Sequence, residues 1–165
     1  MDTGTSFEEL CGLLIPHTIT DYKLDDLYRR DREYFFEYLS GFIIKATLEA
    51  SEDFVTPLDY ESVEVEVDSD VGLIKANRKY FTHKLLPLEK LILVNYMAIY
   101  WYEKTMEDII AISSKIGNRS EKDNNDKNDI NKKSERINQL RRENYANIRK
   151  LQLGNLSKFE WWGDQ

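Results

Sequence analysis

The sequence has few of the side chains that build common catalytic sites. Its 165 residues include one cysteine, Cys11, and two histidines, with no Gly-rich phosphate loop, no Ser/His/Asp order and no H-E-x-x-H. A single cysteine excludes an internal disulfide, and the chain shows no Cys/His spacing typical of a zinc site. We therefore expect no catalytic residue, no metal site and no cofactor, and we interpret Cys11 as a small buried apolar residue.

The sequence also lacks a hydrophobic run that is long enough to cross a bilayer. Residues 91–102 form an apolar stretch of 12 positions, of which only Asn95 is polar, whereas a membrane-spanning helix needs roughly 20. The N-terminus has no secretory hydrophobic segment. We therefore expect synthesis in the host cytoplasm and no contact with a membrane.

Residues 86–117 surround this apolar stretch and predict one long central helix. Pro87 occupies a first-turn position, where its missing N–H costs little, and Gly117 stands where a left-handed residue commonly ends a helix. A helix that is apolar on all sides is either fully buried or in contact with a second protein. We expect its face around Tyr96, Tyr100 and Trp101 to be left for a neighbouring subunit.

Two further patterns complete the predicted core. Apolar residues at 3–4 spacing indicate one amphipathic helix over residues 21–50. Alternation of Val63, Val65 and Val67 with acidic residues indicates a half-buried strand, which a turn and a second strand candidate follow. We interpret the acidic residues as a solvated edge that deters strand pairing, in preference to a metal site.

These patterns predict a mainly α fold, in which a small helical bundle carries an inserted antiparallel β-hairpin and an extended C-terminal tail. The bundle is expected over residues 1–117 and the hairpin at about residues 55–82. Residues 118–135 are rich in Asn, Asp and Lys and predict a polar linker. A C-terminal helix over residues 136–153 and an aromatic docking tail over residues 154–165 follow it.

The predicted C-terminal helix has a narrow apolar seam that suits one neighbouring helix. The seam consists of Ile137, Leu140, Asn144, Ile148 and Leu151. Residues 1–117 carry 12 Lys and Arg against 22 Asp and Glu, a net −10, and residues 118–165 carry 11 against 8, a net +3. One interpretation is that the basic C-terminal part of one copy lies against the acidic body of another. The other is an ordinary solvated surface.

Two groups of residues are therefore candidates for binding a partner. The first group lies beside the seam and consists of Arg141, Arg142 and Arg149. The second lies in the tail and consists of Phe159, Trp161 and Trp162. Exposed Trp pairs are unusual on monomers and Trp is frequent at interfaces, although the tail folding back onto its own domain is the alternative. General nucleic-acid binding is disfavoured, because the acidic body repels phosphates.

Two stretches resemble a known family. L-Y-R-R-D-R-E-Y-F-F-E-Y-L-S-G-F-I-I-K-A (residues 27–46) resembles a segment of small neck proteins of tailed bacteriophages, and L-P-L-E-K-L-I-L-V-N-Y-M-A-I-Y-W-Y (residues 86–102) is similar to a later helix of such proteins. The resemblance implies a head–tail connector, or adaptor, that is copied around a ring between the portal and the tail. It also implies a C-terminal segment that grips the portal, with Phe159, Trp161 and Trp162 as its anchors. The Asn/Asp/Lys-rich stretch departs from the family's pattern.

The expected function is therefore that of a non-enzymatic, homo-oligomeric ring subunit in the neck of the virion. Its partners would be the portal protein and the neighbouring neck and tail proteins, and DNA would pass through the ring without specific recognition. Two alternatives are left open. One is another baseplate or tail component, or an assembly chaperone. The other is a helical regulator that binds nucleic acid with residues 136–150.

Overall fold

The computed structural model describes residues 4–18, 22–54, 56–69, 72–116 and 120–156. Within these ranges the chain forms five helices and one β-hairpin, which confirms the predicted mainly α bundle with an inserted antiparallel hairpin. The elements are α1 (Phe7–Thr18), α2 (Tyr22–Arg30), α3 (Arg32–Ala50), β1 (Tyr60–Ser69), β2 (Gly72–Phe81), α4 (Pro87–Ile116) and α5 (Ser120–Leu156). The predicted tail beyond Leu156 lies outside the described residues.

Helix α4 is the central element, as its apolar sequence predicts. It begins at Pro87 and packs against α1, α3 and α5. Leu93, Met97 and Ala98 are fully buried, and α1 and α3 supply the side chains around them, including Leu10 and Phe35. Full burial of one such large apolar side chain contributes about 1.5 to 3 kcal/mol. The core is therefore organised around α4, while α2 packs on α3 and α1.

The expectation that the face of α4 around Tyr96, Tyr100 and Trp101 is left for a neighbouring subunit is wrong. Tyr100 and Trp101 are each 5% exposed, and Tyr96 is half-buried. Helix α3 covers this face: the Tyr38 ring lies edge-on to Trp101 at a centroid distance of 6.2 Å, and the Lys45 ammonium lies 3.9 Å from the centre of the Tyr100 ring. The aromatic side chains of α4 are therefore part of the subunit's own core.

The helix predicted over residues 21–50 is divided into α2 and α3 at Asp31. The Asp31 backbone is extended (φ −149°, ψ 89°), and its carboxylate accepts a hydrogen bond from the Tyr34 N–H at 3.0 Å. This is an N-cap, in which a short acidic side chain satisfies a backbone donor at the start of a helix. The apolar spacing continues across Asp31, so the pattern alone does not reveal the break.

The hairpin is long and regular. The strands pair from Tyr60 opposite Phe81 to Ser69 opposite Gly72. Gly72 has φ +108°, a conformation that side-chain-bearing residues rarely adopt, which makes glycine the suitable residue at the start of β2. The Phe81 N–H donates a hydrogen bond to the Thr5 carbonyl at 2.9 Å, and the Thr5 N–H donates one to the His83 carbonyl at 3.4 Å. These bonds hold the base of the hairpin against the segment before α1.

The two faces of the hairpin differ in exposure. One face is half-buried and is directed towards α3, and it carries Val65, Val67, Ile74, Ala76 and Arg78. The opposite face is exposed and carries Glu64, Glu66, Leu73, Lys75 and Asn77. The predicted alternation is therefore confirmed for Val65 and Val67, which are half-buried, against the exposed Glu64 and Glu66, whereas Val63 is 45% exposed.

The linker predicted over residues 118–135 is wrong, because α5 runs from Ser120 to Leu156. The contact seam with α4 extends through this segment: Asp126, Ile130 and Lys133 are half-buried at spacings of four and three, in line with the buried Ile137. Because Asp126 and Lys133 are polar, apolar spacing in the sequence does not reveal this part of the seam. Because helix propagation is easier than nucleation, the packed C-terminal half of α5 extends into the polar half.

Candidate partner-binding surface

Helix α5 has one extensively packed side. In the described part of the chain, α4 is the only element against which it packs extensively. Ile137, Leu140, Asn144 and Leu151 are buried against α4 and Ile148 is half-buried, as the predicted seam requires. The opposite side of α5 is therefore free of the subunit's own core along its C-terminal half.

The three arginines predicted to bind a partner are placed differently on this helix. Arg141 turns towards α4 and forms an ion pair with Glu103, at 2.8 Å between Nη2 and Oε1. Arg142 and Arg149 are exposed, and among the described residues neither has a carboxylate within 4.0 Å. The structure thus leaves Arg142 and Arg149 available to a partner and engages Arg141 within the subunit.

An aromatic and an aliphatic side chain complete the surface that these two arginines form. Tyr145 is 65% exposed and Leu153 is 62% exposed. They follow Arg142 at helical spacing, so that residues 142, 145, 149 and 153 lie on one outward stripe, which we call the α5 ridge. The Arg149 guanidinium carbon lies 5.8 Å from the centre of the Tyr145 ring, within the range of a cation–π contact.

The α5 ridge has the composition of a binding surface. Tyr and Arg are enriched among the residues that dominate protein–protein binding energy, because they combine apolar area with directed polar groups. Tyr145 and Leu153 were not predicted as partner-binding residues. The signal that would have revealed them is their spacing from Arg142 on the side of the helix opposite the seam.

The aromatic residues predicted as anchors cannot be placed on this surface. Phe159, Trp161 and Trp162 lie outside the described residues, which end at Leu156. Their sequence position is close to the end of the α5 ridge. Their role as anchors stays a prediction.

Strand β1 is a second polar surface with a single sign of charge. It contains Glu61, Glu64, Glu66 and Asp68 and no basic residue, while the basic residues of the hairpin are all on β2. The β2 residues are engaged within the subunit: Lys75 pairs with Glu64 at 3.3 Å, and Lys79 donates to the Ser40 hydroxyl at 3.3 Å. On the outward side of the hairpin, Glu64 is therefore paired with Lys75, while Glu66 has no cation within 4.0 Å among the described residues.

A cleft of about 430 Å³ lies between the hairpin and α3. Arg78 occupies it, with a side chain that is 12% exposed, and donates two hydrogen bonds to Glu33, at 2.8 and 2.6 Å. It also pairs with Glu8 through Nε and lies over the Phe36 ring. The Glu33 hydrogen bonds, the largest effect, raise the pKa of the Arg78 guanidinium. Arg78 therefore connects β2 of the hairpin with Glu8 of α1 and Glu33 of α3 across the cleft.

Cys11 lies in the core, as predicted. Its side chain is fully buried, and burial, assisted by the negative charge of Glu8, raises the pKa of the thiol to about 12. A thiol with so high a pKa is protonated at neutral pH and is a poor nucleophile. Cys11 is therefore a packing residue.

No cluster of three or more His, Cys, Asp or Glu side chains in the described ranges is arranged to hold a metal ion. None of the described helices combines the length and the apolar character that crossing a bilayer requires.

The chain was also compared with known proteins. It matches no model of a known protein family, and searches of curated proteins and of solved structures gave no match either.

Proposed function

We propose that the protein is a non-enzymatic structural subunit of a tailed phage particle, which forms a ring in the head–tail connector between the portal and the tail. The observation that carries this proposal is the α5 ridge. A helix of 37 residues that, within the described part of the chain, packs extensively on a single neighbour leaves a long side for a second protein. That side carries Arg142, Tyr145 and Arg149, which suit a protein partner.

The resemblance to phage neck proteins supports the same proposal. The two stretches that carry it, residues 27–46 and 86–102, fall on α2, α3 and the first half of α4. In the structure these stretches pack together, for example through Tyr38 and Trp101. The resemblance therefore concerns one continuous part of the fold, in which α3 and α4 form the core.

The partners in this proposal are further copies of the chain, the portal protein and the adjacent neck or tail proteins. The C-terminal residues Phe159, Trp161 and Trp162 would dock into the portal or a neighbouring ring. The ring would surround DNA as it passes, without reading its sequence. The site of action would be the neck of the virion, after synthesis in the host cytoplasm.

The proposal is tested with the portal protein encoded in the same genome. We expect mass photometry and electron microscopy to show a ring of this chain bound to the portal, and mass spectrometry to find the chain in purified virions. A chain that binds no portal and is absent from virions would overturn the proposal. Absence from virions combined with a requirement for assembly would indicate a chaperone, and a salt-dependent shift of DNA would indicate a nucleic-acid-binding regulator.

A truncated variant that ends at Leu156 tests the docking tail separately. We expect it to keep the helix content of the full chain, measured by circular dichroism, and to lose at least tenfold in affinity for the portal. The matched control replaces Arg29 and Arg30, exposed residues of α2, by Gln and should bind the portal normally. Full portal binding by the truncated chain would exclude the anchor role of Phe159, Trp161 and Trp162.

A further inference from the structure

The α5 ridge and the acidic strand β1 are two complementary surfaces that belong to separate parts of the subunit. In the described part of the chain, α5 packs extensively only on α4, and the hairpin joins the bundle through its base, at α1 and α3. Neither surface covers the other within one copy. Any contact between them must therefore join two copies.

The charges of the two surfaces are opposite. Arg142 and Arg149 have no carboxylate within 4.0 Å among the described residues. Strand β1 carries four acidic residues and no basic one, and the single Lys75 of β2 that reaches them pairs with Glu64 at 3.3 Å. On the outward face of the hairpin, Lys75 lies opposite Glu66, and Leu73, which is 72% exposed, follows towards the tip of the hairpin, opposite Asp68. Each surface therefore combines charged side chains with an exposed apolar one, Leu73 on the hairpin and Leu153 on the ridge.

The dimensions of the two surfaces also agree. Arg142 and Arg149 are two helical turns apart, about 10 Å along α5. Glu64 and Glu66 are about 7 Å apart along their strand. The long, flexible stems of the arginines span this difference, and Arg side chains pair well with carboxylates. Tyr145, between the two arginines, would then lie over the backbone of the hairpin.

We propose that the outward face of the hairpin of one copy, around Glu64, Glu66 and Leu73, binds the α5 ridge of the next copy. This inference rests on the proposed ring-forming function and names the surfaces that build the ring. The contact joins two different surfaces, so it is heterologous, and repeated contacts of this kind close into a ring or extend into a filament. Pairing of two β1 edges is disfavoured, because it would place carboxylates opposite carboxylates.

Two charge-reversed variants test the contact. The ridge variant carries Arg142→Glu and Arg149→Glu, and the hairpin variant carries Glu64→Lys and Glu66→Lys. Each variant alone has the same sign of charge on both surfaces, so we expect each to lose at least tenfold in self-association, alone and on the portal. In a mixture, every contact between unlike copies joins opposite charges, so we expect an equimolar mixture to assemble with the two variants in equal amounts.

The control is a variant with the same change of charge elsewhere. Arg29→Glu and Arg30→Glu reverse two exposed arginines of α2 and should assemble as the unmodified chain does. Circular dichroism and thermal unfolding establish that all variants fold. The inference is overturned if the ridge and hairpin variants assemble normally, if their mixture does not assemble, or if the unmodified chain stays monomeric both alone and with portal.

The proposed function is judged independently of these variants. If the chain is located in the neck of virions while the ridge and hairpin variants still form rings, the connector function stands and the contact named here is wrong. If the mixture assembles but virions lack the protein, the contact is right and the connector function is wrong.

Discussion

Asn144 of α5 donates a hydrogen bond from Nδ2 to the backbone carbonyl oxygen of Ile92 in α4, at 3.2 Å. This bond is buried and lies within the apolar seam between the two helices. It fixes the position of α5 along α4, because a shift of one turn would remove the carbonyl from its donor. It also fixes the direction of the α5 ridge, which lies on the opposite side of the same helix.

Asn95 lies one turn after Ile92 on α4 and is the less satisfied of the two buried asparagines. It is 1% exposed, and neither Oδ1 nor Nδ2 has a hydrogen-bond partner among the described residues. We expect Asn95→Leu to raise the free energy of unfolding by about 1 to 2 kcal/mol, since it removes a buried unpaired amide. Urea unfolding measures the change. Asn138→Leu, at an exposed position of α5, is the matched control and should change little; a destabilised Asn95→Leu would contradict the prediction.

Gly4 is expected to tolerate no side chain. A Cβ at this position would lie 1.7 Å from the carbonyl oxygen of Phe81, at the base of the hairpin. We expect Gly4→Ala to lower the free energy of unfolding by about 1 to 3 kcal/mol, because the segment before α1 must move and lose its hydrogen bonds to the hairpin. Gly12→Ala and Gly41→Ala, which have open space in helices, should stabilise by up to about 1 kcal/mol. Equal effects of all three substitutions in urea unfolding would refute this explanation.

Arg78 is expected to hold the hairpin on the bundle. Arg78→Met leaves Glu8 and Glu33, which are 38% and 33% exposed, without their shared cation. We expect a loss of about 1 to 3 kcal/mol, which is less than for a fully buried ion pair because solvent screens the two carboxylates. Hydrogen exchange should show faster exchange of the β2 amides relative to those of α4. Arg29→Met, which breaks an exposed pair on α2, should cost less than about 1 kcal/mol. If Arg78→Met and Arg29→Met lower the free energy of unfolding equally, Arg78 does not hold the hairpin on the bundle.

Because Cys11 is buried, we expect the free energy of unfolding to depend on pH in the alkaline range. Its pKa is raised from 9.0 to about 12 in the folded chain, so the contribution of the neutral thiol is fully present below pH 9 and is lost as the pH rises towards 12. We expect the free energy of unfolding to fall between these values, with this thiol contributing a slope of up to about 1.4 kcal/mol per pH unit. In Cys11→Ala that contribution should be absent. Identical alkaline slopes for the two proteins would show that the thiol is not responsible.

The parts of the fold that could be predicted are those with a local signal. The apolar stretch around Met97 predicts α4, and the alternation at Val65 predicts the hairpin, because each pattern is repeated over neighbouring residues. The N-terminal half of α5 could not be predicted, since Asp126 and Lys133 contribute to its seam only because α4 lies beside them. The cap at Asp31 is local, but it occurs within an uninterrupted apolar pattern.

The candidate surface could be predicted only in part, because contacts with a neighbouring helix decide which side chains are exposed. Arg141 and Arg142 are adjacent in sequence but point about 100° apart on a helix. Only the structure shows that Glu103, 38 residues away along the chain, engages the first and leaves the second exposed. Tyr145 and Leu153 join Arg142 on the ridge because the direction of the seam decides which side of α5 faces outward.

The central position of α4 has a consequence for the order in which the chain folds during synthesis. The apolar faces of α1 and α3, with Leu14, Leu39 and Ile43, leave the ribosome before the α4 residues that cover them. The α4–α5 pair, by contrast, is joined by a short connection and closes at little entropic cost. A nascent chain stopped before Pro87 therefore exposes the core-facing sides of two helices, and we expect molecular chaperones to bind it until α4 emerges.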